Sequence, residues 1–235
     1  MAGTKQRSAS SQAAAARTET VDHYLETVYY IDHEGEPVRP SRIAEWLGVS
    51  APTVSVTLQR LSRDGWVEIA ADRRVSLTAR GEAVAEDIVR SHRLLERWLT
   101  DVLKLDWATA DAEAQRLIGG FSPDVIERLD EHMGRPTTCP HGNVIPGRTP
   151  PYGDLIALAD LEPGTRARVR RISEVAEHDA PQLLRQLDAN GLVTGAAVSV
   201  SEADSGAGAL PVAVGDRTMA LGTSVARLIW VEVER

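Results

Sequence analysis

The sequence predicts a mainly α protein with β structure: an N-terminal winged helix-turn-helix, a helical middle section and a small C-terminal β-barrel. Three observations carry this. Pro40 to Arg63 reads as two short helices joined by a tight turn at Gly48. The next stretch, WVEIAADRRVSLT, alternates as two strands around Asp72-Arg73. From about Ala157 the pattern changes to several short apolar segments with one small helix, ended by Asn190-Gly191.

Taken in order, residues 1–17 are small and polar with no periodic apolar face, and are expected to form a disordered tail. A helix begins near Thr20, its apolar face set by Val21, Tyr24, Leu25, Val28 and Tyr29. Ile43, Ala44 and Leu47 line the next helix, and Gly48 supplies the positive φ that lets the chain leave it. Ser50 is placed to cap the second helix of the pair, and Pro52 removes a donor where no intrahelical bond is owed. Val54, Leu58 and Leu61 share its buried side. Thr53, Ser55, Val56, Thr57 and Arg60 are left outward, where hydroxyls and a guanidinium suit phosphates and the methyl groups suit thymine. Arg73 and Arg74 at the hairpin tip place cations beside a DNA backbone. With Arg39, Arg42, Arg60, Arg63 and Arg80 they make seven arginines against four carboxylates between Arg39 and Arg80, a segment of net +3 in a chain of net -8.

Three helices follow, from Gly81 to about Leu103, near Trp107 to Ile118 and near Pro123 to His132. Ile88, Leu95, Trp98, Leu99 and Val102 are expected on one side of the first. Their combined apolar surface exceeds what a small winged domain covers, which predicts a homodimer, usually two-fold for a DNA reader. The resulting domains are 18–80 for DNA, 81–144 for dimerisation and metal, a Pro/Gly-rich linker at 145–156, and 157–235 for the barrel.

The overall acidity argues against indiscriminate coating of nucleic acid, so DNA affinity rests on the local basic patch. The single cysteine, Cys139, excludes an intrachain disulfide and suits a reducing cytoplasm. No apolar run reaches the roughly 18 residues of a membrane span.

Several side chains have metal-ligand spacing. His92 and Glu96 stand at i, i+4 on the long helix and Asp111 begins the next one, a set suited to Mn²⁺, Fe²⁺ or Co²⁺, with Zn²⁺ left open by its affinity order. An ordinary surface ion pair is the competing reading. His23 and Glu26, at i, i+3, read by default as a solvated pair. Cys139 and His141 in TTCPHGN read as part of a Pro/Gly-rich turn, since one Cys-x-His without a second cluster is weak as a knuckle. No nucleophile with an adjacent base and no phosphate loop is evident, which disfavours an enzyme.

From about Thr18 onward the chain resembles the iron- and manganese-dependent regulators of the diphtheria toxin repressor family. The resemblance is carried by the Ser-x-Pro-Thr-Val-Ser pattern at 50–55, by AADR in the wing, by RSHRLLERWLTDVLKLD and by CPHGNVIPG. It implies that the C-terminal part is an SH3-like domain similar to the ferrous-transport accessory domain. It also implies two metal sites. For the ancillary one the matching positions are His92, Glu96, Asp111, Asp179 and Gln182. For the activating one they are His23, Glu26 and Gln115, but Ile118 and Gly119 stand where side-chain ligands belong. The function implied is a metal-dependent repressor that binds a double-stranded operator as a homodimer and uses Mn²⁺ or Fe²⁺. The alternative is a regulator of the same fold that has lost metal dependence.

Overall fold

A computed structural model describes residues 18–179, 181–202 and 208–234. The expected tail, residues 1–17, lies outside them. The chain divides into two compact units, the first ending at Ile88 and the second beginning at Val89.

In the first unit, α1 (Glu19–His33) starts where the Thr18 hydroxyl accepts from the Val21 amide at 3.4 Å. Helix α2 (Pro40–Leu47) ends at Gly48, whose φ is 62°. Helix α3 (Ala51–Arg63) is capped by Ser50, which accepts from the Thr53 amide at 3.3 Å. Leu25, Ile31, Ile43, Val54, Leu58 and Leu61 fill the core. Trp46, absent from the expected apolar face, is also buried there. The wing is the antiparallel pair β1 (Val67–Ile69) and β2 (Val75–Leu77), with Glu68 opposite Ser76. At its tip Arg73 adopts φ 66° and its amide donates to the Ala70 carbonyl.

Helix α4 (Ala79–Asp101) begins in this unit, where a β-carbon at Gly81 would lie 2.1 Å from the Trp66 carbonyl oxygen. Only glycine admits that approach. The helix starts two residues before the position expected from the sequence.

In the second unit, α5 (Trp107–Leu117) and α6 (Pro123–His132) are capped by Asp106 and Ser122. Leu94, Leu95 and Leu99 of α4 pack with Ala110, Ala114, Ile126 and Ile145. Val102, expected on that face, is exposed, because the helix ends at Asp101 and the chain turns away. Asp130 of α6 is fully buried and gathers Arg90, 2.6 Å away, together with Arg148 and Arg135.

The C-terminal part carries a six-stranded antiparallel sheet in the order β3-β8-β4-β5-β6-β7. Its strands are β3 (Ile156–Ala157), β4 (Arg166–Ile172), β5 (Ala197–Val200), β6 (Ala209–Val214), β7 (Arg217–Gly222) and β8 (Ile229–Val233). Helices α7 (Glu174–Asp179), α8 (Pro181–Ala189) and α9 (Thr223–Ala226) interrupt it. Helix α7 has no counterpart in the sequence expectation, whose one small helix, Pro181 to Asp188, corresponds to α8.

The sheet's core, including Val169, Ile172, Leu184, Val198, Val212 and Val231, continues into Trp107 and Ala108 of α5. The first turn of α5 is therefore packed into the sheet's apolar core, next to the separate core of the helices. The segment 138–145 ties them further. The Ile172 amide donates to the His141 carbonyl at 2.8 Å, and the Asn143 amide group donates back to the Ile172 carbonyl at 3.0 Å. Between those two residues sits Gly142, at φ +89°, where a β-carbon would fall 1.8 Å from the Arg170 carbonyl oxygen. Gly142→Ala combines that collision with a disfavoured backbone and should destabilise the protein by about 3 kcal/mol in urea denaturation. Gly119→Ala, with open space around it, is the control and should change stability by less than about 0.5 kcal/mol.

Candidate functional site

Two sites emerge, one in each unit. In the first, the outward side of α3 presents Thr53, Val56 and Arg60 fully exposed and Thr57 half-buried. Val56 is the most exposed large apolar residue among those described, at 70%. Ser50 and Ser55 turn inward to the helix itself: Ser50 caps Thr53, and the Ser55 hydroxyl donates to the Ala51 carbonyl. Pro52 and Arg63 are exposed, the latter 3.9 Å from Asp64.

Of the arginines expected at phosphates, Arg42 is engaged within the fold, 2.8 Å from Glu36 and stacked over Trp46. Arg39 reaches the Asp72 carbonyl oxygen at 3.3 Å, and Arg74 pairs with the Asp72 carboxylate at 2.7 Å. Hydrogen bonds from the Arg74 backbone and side chain hold Asp72 below its ordinary range. Arg73 points out from the tip, with no ion pair among the described residues.

Of His23 and Glu26, expected to be solvated, only one is. His23 is exposed, but Glu26 is buried and accepts from the Tyr30 hydroxyl at 3.3 Å.

In the second unit, His92 and Glu96 lie one turn apart on α4, and both are buried rather than forming a surface ion pair. Asp111 of α5 approaches the His92 ring, with 3.2 Å between its Oδ1 and His92 Nε2. Glu96 Oε1 is 3.8 Å from the same nitrogen and 3.3 Å from His141 Nδ1. His141 and Cys139 do lie in the expected turn, but the turn is in the interior. Both are buried, with Cys139 Sγ 3.9 Å from His141 Nδ1, and the His141 ring meets Trp107 edge-on at 4.7 Å.

The loop is held there by Arg97, which donates to the Thr138 and Cys139 carbonyls. Arg93 donates to the Val144 carbonyl and pairs with buried Glu174 at 2.5 Å. The signal that sequence reasoning passed over was the Cys-x-His spacing itself, which gains a partner only through a carboxylate more than forty residues earlier.

Two potential ligand groups result, His92-Glu96-Asp111 and Glu96-Cys139-His141, each with its donor atoms within 4.8 Å of one another. They share Glu96. Its Oε1 is buried and makes no hydrogen bond among the described residues, a situation that a cation relieves. Nitrogen, oxygen and sulfur donors together fit a divalent transition metal. Gln182 is exposed on α8, while the side chain of Asp179 lies outside the described residues. Gln115 turns to His92, with its Oε1 3.0 Å from Nδ1.

The segments that carry these residues match known domains. Residues 17–75 match the iron dependent repressor N-terminal DNA binding domain, and residues 78–147 match the iron dependent repressor metal binding and dimerisation domain. The chain is 38% identical over 225 residues to the iron-dependent repressor IdeR of Mycobacterium tuberculosis, covering 91% of this chain and 97% of that one. The chain belongs to the iron-dependent repressor family.

Residues 156–233 of this repressor match the FeoA domain. It is 34% identical over 200 residues to the diphtheria toxin repressor of Corynebacterium diphtheriae, covering 79% of this chain and 86% of that one. A solved manganese-dependent transcriptional repressor, in complex with manganese, superposes with a TM-score of 0.79 at 30% identity, over 91% of this chain and 100% of that one. These relatives are iron- or manganese-dependent transcriptional repressors rather than enzymes, and this chain is a DNA-binding repressor of the same family.

The cluster's electrostatics predict how the metal-free repressor responds to pH. Burial alone lowers the affinity of His92 for its proton, but the Asp111 and Glu96 carboxylates beside the ring outweigh it and hold it well above its ordinary 6.5. Burial likewise pushes Glu96 up, and the charge of His141, followed by that of His92, outweighs it and holds the carboxyl well below its ordinary range. The stabilisation from His92 is complete below its unfolded pKa and is lost as pH rises through the raised one. That from Glu96 is present above its unfolded pKa and is lost only in strong acid. In chelator, the urea midpoint should therefore fall as pH is raised above neutrality, and His92→Gln should flatten that slope. A midpoint rising with pH through the same window contradicts the assignment.

Proposed function

We propose that this chain represses transcription as a cytoplasmic homodimer, binding a double-stranded operator when a single Mn²⁺ or Fe²⁺ per protomer occupies the cluster around Glu96. The observation that carries this is the buried, unbonded Oε1 of Glu96 at the meeting point of two ligand groups. Bound there, a divalent ion supplies a fixed positive centre. Such an ion would be held by Glu96 together with His92 and Asp111, or with Cys139 and His141. The iron and manganese in the names of the relatives support those two ions. Self-association is supported by Val102, Leu103 and Val125, apolar side chains left exposed on the segments after α4 and in α6.

The α3 face reads the major groove through Thr53, Val56, Thr57 and Arg60, and the wing places Arg73 on the flanking backbone. No helix among the described residues is long and apolar enough to cross a membrane.

Loss of metal dependence is the competing reading, favoured by Ile118 and Gly119, which offer no side-chain donor where the activating-type site needs one. Operators selected from a random duplex library by the Mn²⁺-loaded protein decide between them. Binding should weaken on chelation, and Glu96→Gln should bind equally with and without the ion. Equal binding by wild type in both conditions favours the metal-independent regulator. On the selected duplex, Arg73→Ala should reduce the salt slope by about one. Uracil in place of a thymine facing Val56 should cost about 0.8 kcal/mol, the burial of one methyl group, in wild type but not in Val56→Ala.

A further inference from the structure

We infer that Gln115 is a positioning residue for the metal centre: it fixes the His92 ring so that Nε2, and not Nδ1, faces the ion. This rests on the reading of His92 as a ligand made above. Gln115 Oε1 lies 3.0 Å from His92 Nδ1. A side-chain amide oxygen only accepts, so Nδ1 carries the hydrogen and donates it. The neutral ring then has its lone pair on Nε2, the atom that faces Asp111 at 3.2 Å and Glu96 at 3.8 Å. Gln115 stands one turn after Asp111 on α5, so one helix face supplies both a candidate ligand and the acceptor that orients its neighbour. A ring held by its second nitrogen is both orientationally and tautomerically preset, which strengthens its bond to a metal.

This separates Gln115 from His23 and Glu26, with which the family resemblance groups it as a weak ligand of an activating-type site. Its oxygen is committed to the His92 ring, and its neighbours Ile118 and Gly119 bring no donor. The position takes part in metal binding from behind the ligand.

Calorimetric titration of the full chain with Mn²⁺ tests the assignment with His92→Ala, Gln115→Leu and Gln115→Glu. His92→Ala should abolish binding of the ion. Gln115→Leu, which fills the same space without an acceptor, should weaken affinity about tenfold at unchanged stoichiometry, and Gln115→Glu, which still accepts from Nδ1, should stay within about threefold of wild type. In the diamagnetic Zn²⁺-loaded protein, a slowly exchanging His92 Nδ1 proton should appear in the nitrogen-correlated NMR spectrum of wild type and Gln115→Glu and vanish in Gln115→Leu. Wild-type affinity in Gln115→Leu, or a His92 ring protonated at Nε2 when loaded, overturns the positioning role while leaving His92 a ligand. Loss of one whole equivalent of metal in Gln115→Leu also overturns it, by making Gln115 a ligand of a second ion. Unchanged binding in His92→Ala overturns the ligand reading itself, and this inference with it.

Discussion

A carboxylate removed from water has to be compensated where it is buried, and Glu96 sets that requirement for the second unit. The apolar side of α4 carries it into an interior where two imidazoles answer it, His92 from the same helix and His141 from the segment after α6. Removing either partner leaves charge uncompensated at low dielectric, a far larger penalty than the loss of a surface pair. The loop that brings His141 is therefore as much part of the centre as the helix that brings Glu96.

That loop has no regular structure of its own, and its position is fixed by partners on two sides. Arg93 and Arg97 hold its carbonyls from α4, while Ile172 of β4 bonds to His141 and Asn143. Trp107 adds an aromatic edge against His141 and, at the same time, a wall of the sheet's core. The helices and the C-terminal sheet of this unit are thus joined by direct bonds and shared burial. An ion at Glu96 acts on a framework already assembled, and its influence is on the alignment of α4, α5 and the loop rather than on whether the sheet docks.

The DNA-binding fold was largely legible because its signals are local. Gly48, Ser50, Pro52 and the spacing of Val54, Leu58 and Leu61 each act within a few residues of themselves. The metal centre was legible only in half. His92 and Glu96 stand out by helical spacing and Asp111 by its place early in the next helix of a hairpin, but RSHRLLERW looks like a solvated stretch, and nothing nearby reveals that it is buried. Cys139 and His141 acquire meaning through a contact across more than forty residues, which periodicity cannot register. Arg42 failed for the opposite reason: its near neighbours in sequence, Glu36 and Trp46, draw a basic side chain into the fold that composition had assigned to the surface patch.

Arg73 has one more implication. Three non-glycine residues among those described adopt a left-handed backbone, Arg73, Lys104 and Arg135. Each gives up about 1 kcal/mol relative to glycine. Arg135 at least finds partners at home in Glu127 and Glu131. Arg73 has no such internal return, since its side chain stands in solvent at the end of a two-stranded ribbon. Glycine there would make a sturdier wing and a blank one. The wing tip is thus a point where thermodynamic robustness and recognition compete, and selection for heat resistance alone would remove the arginine and dull the protein's grip on nucleic acid.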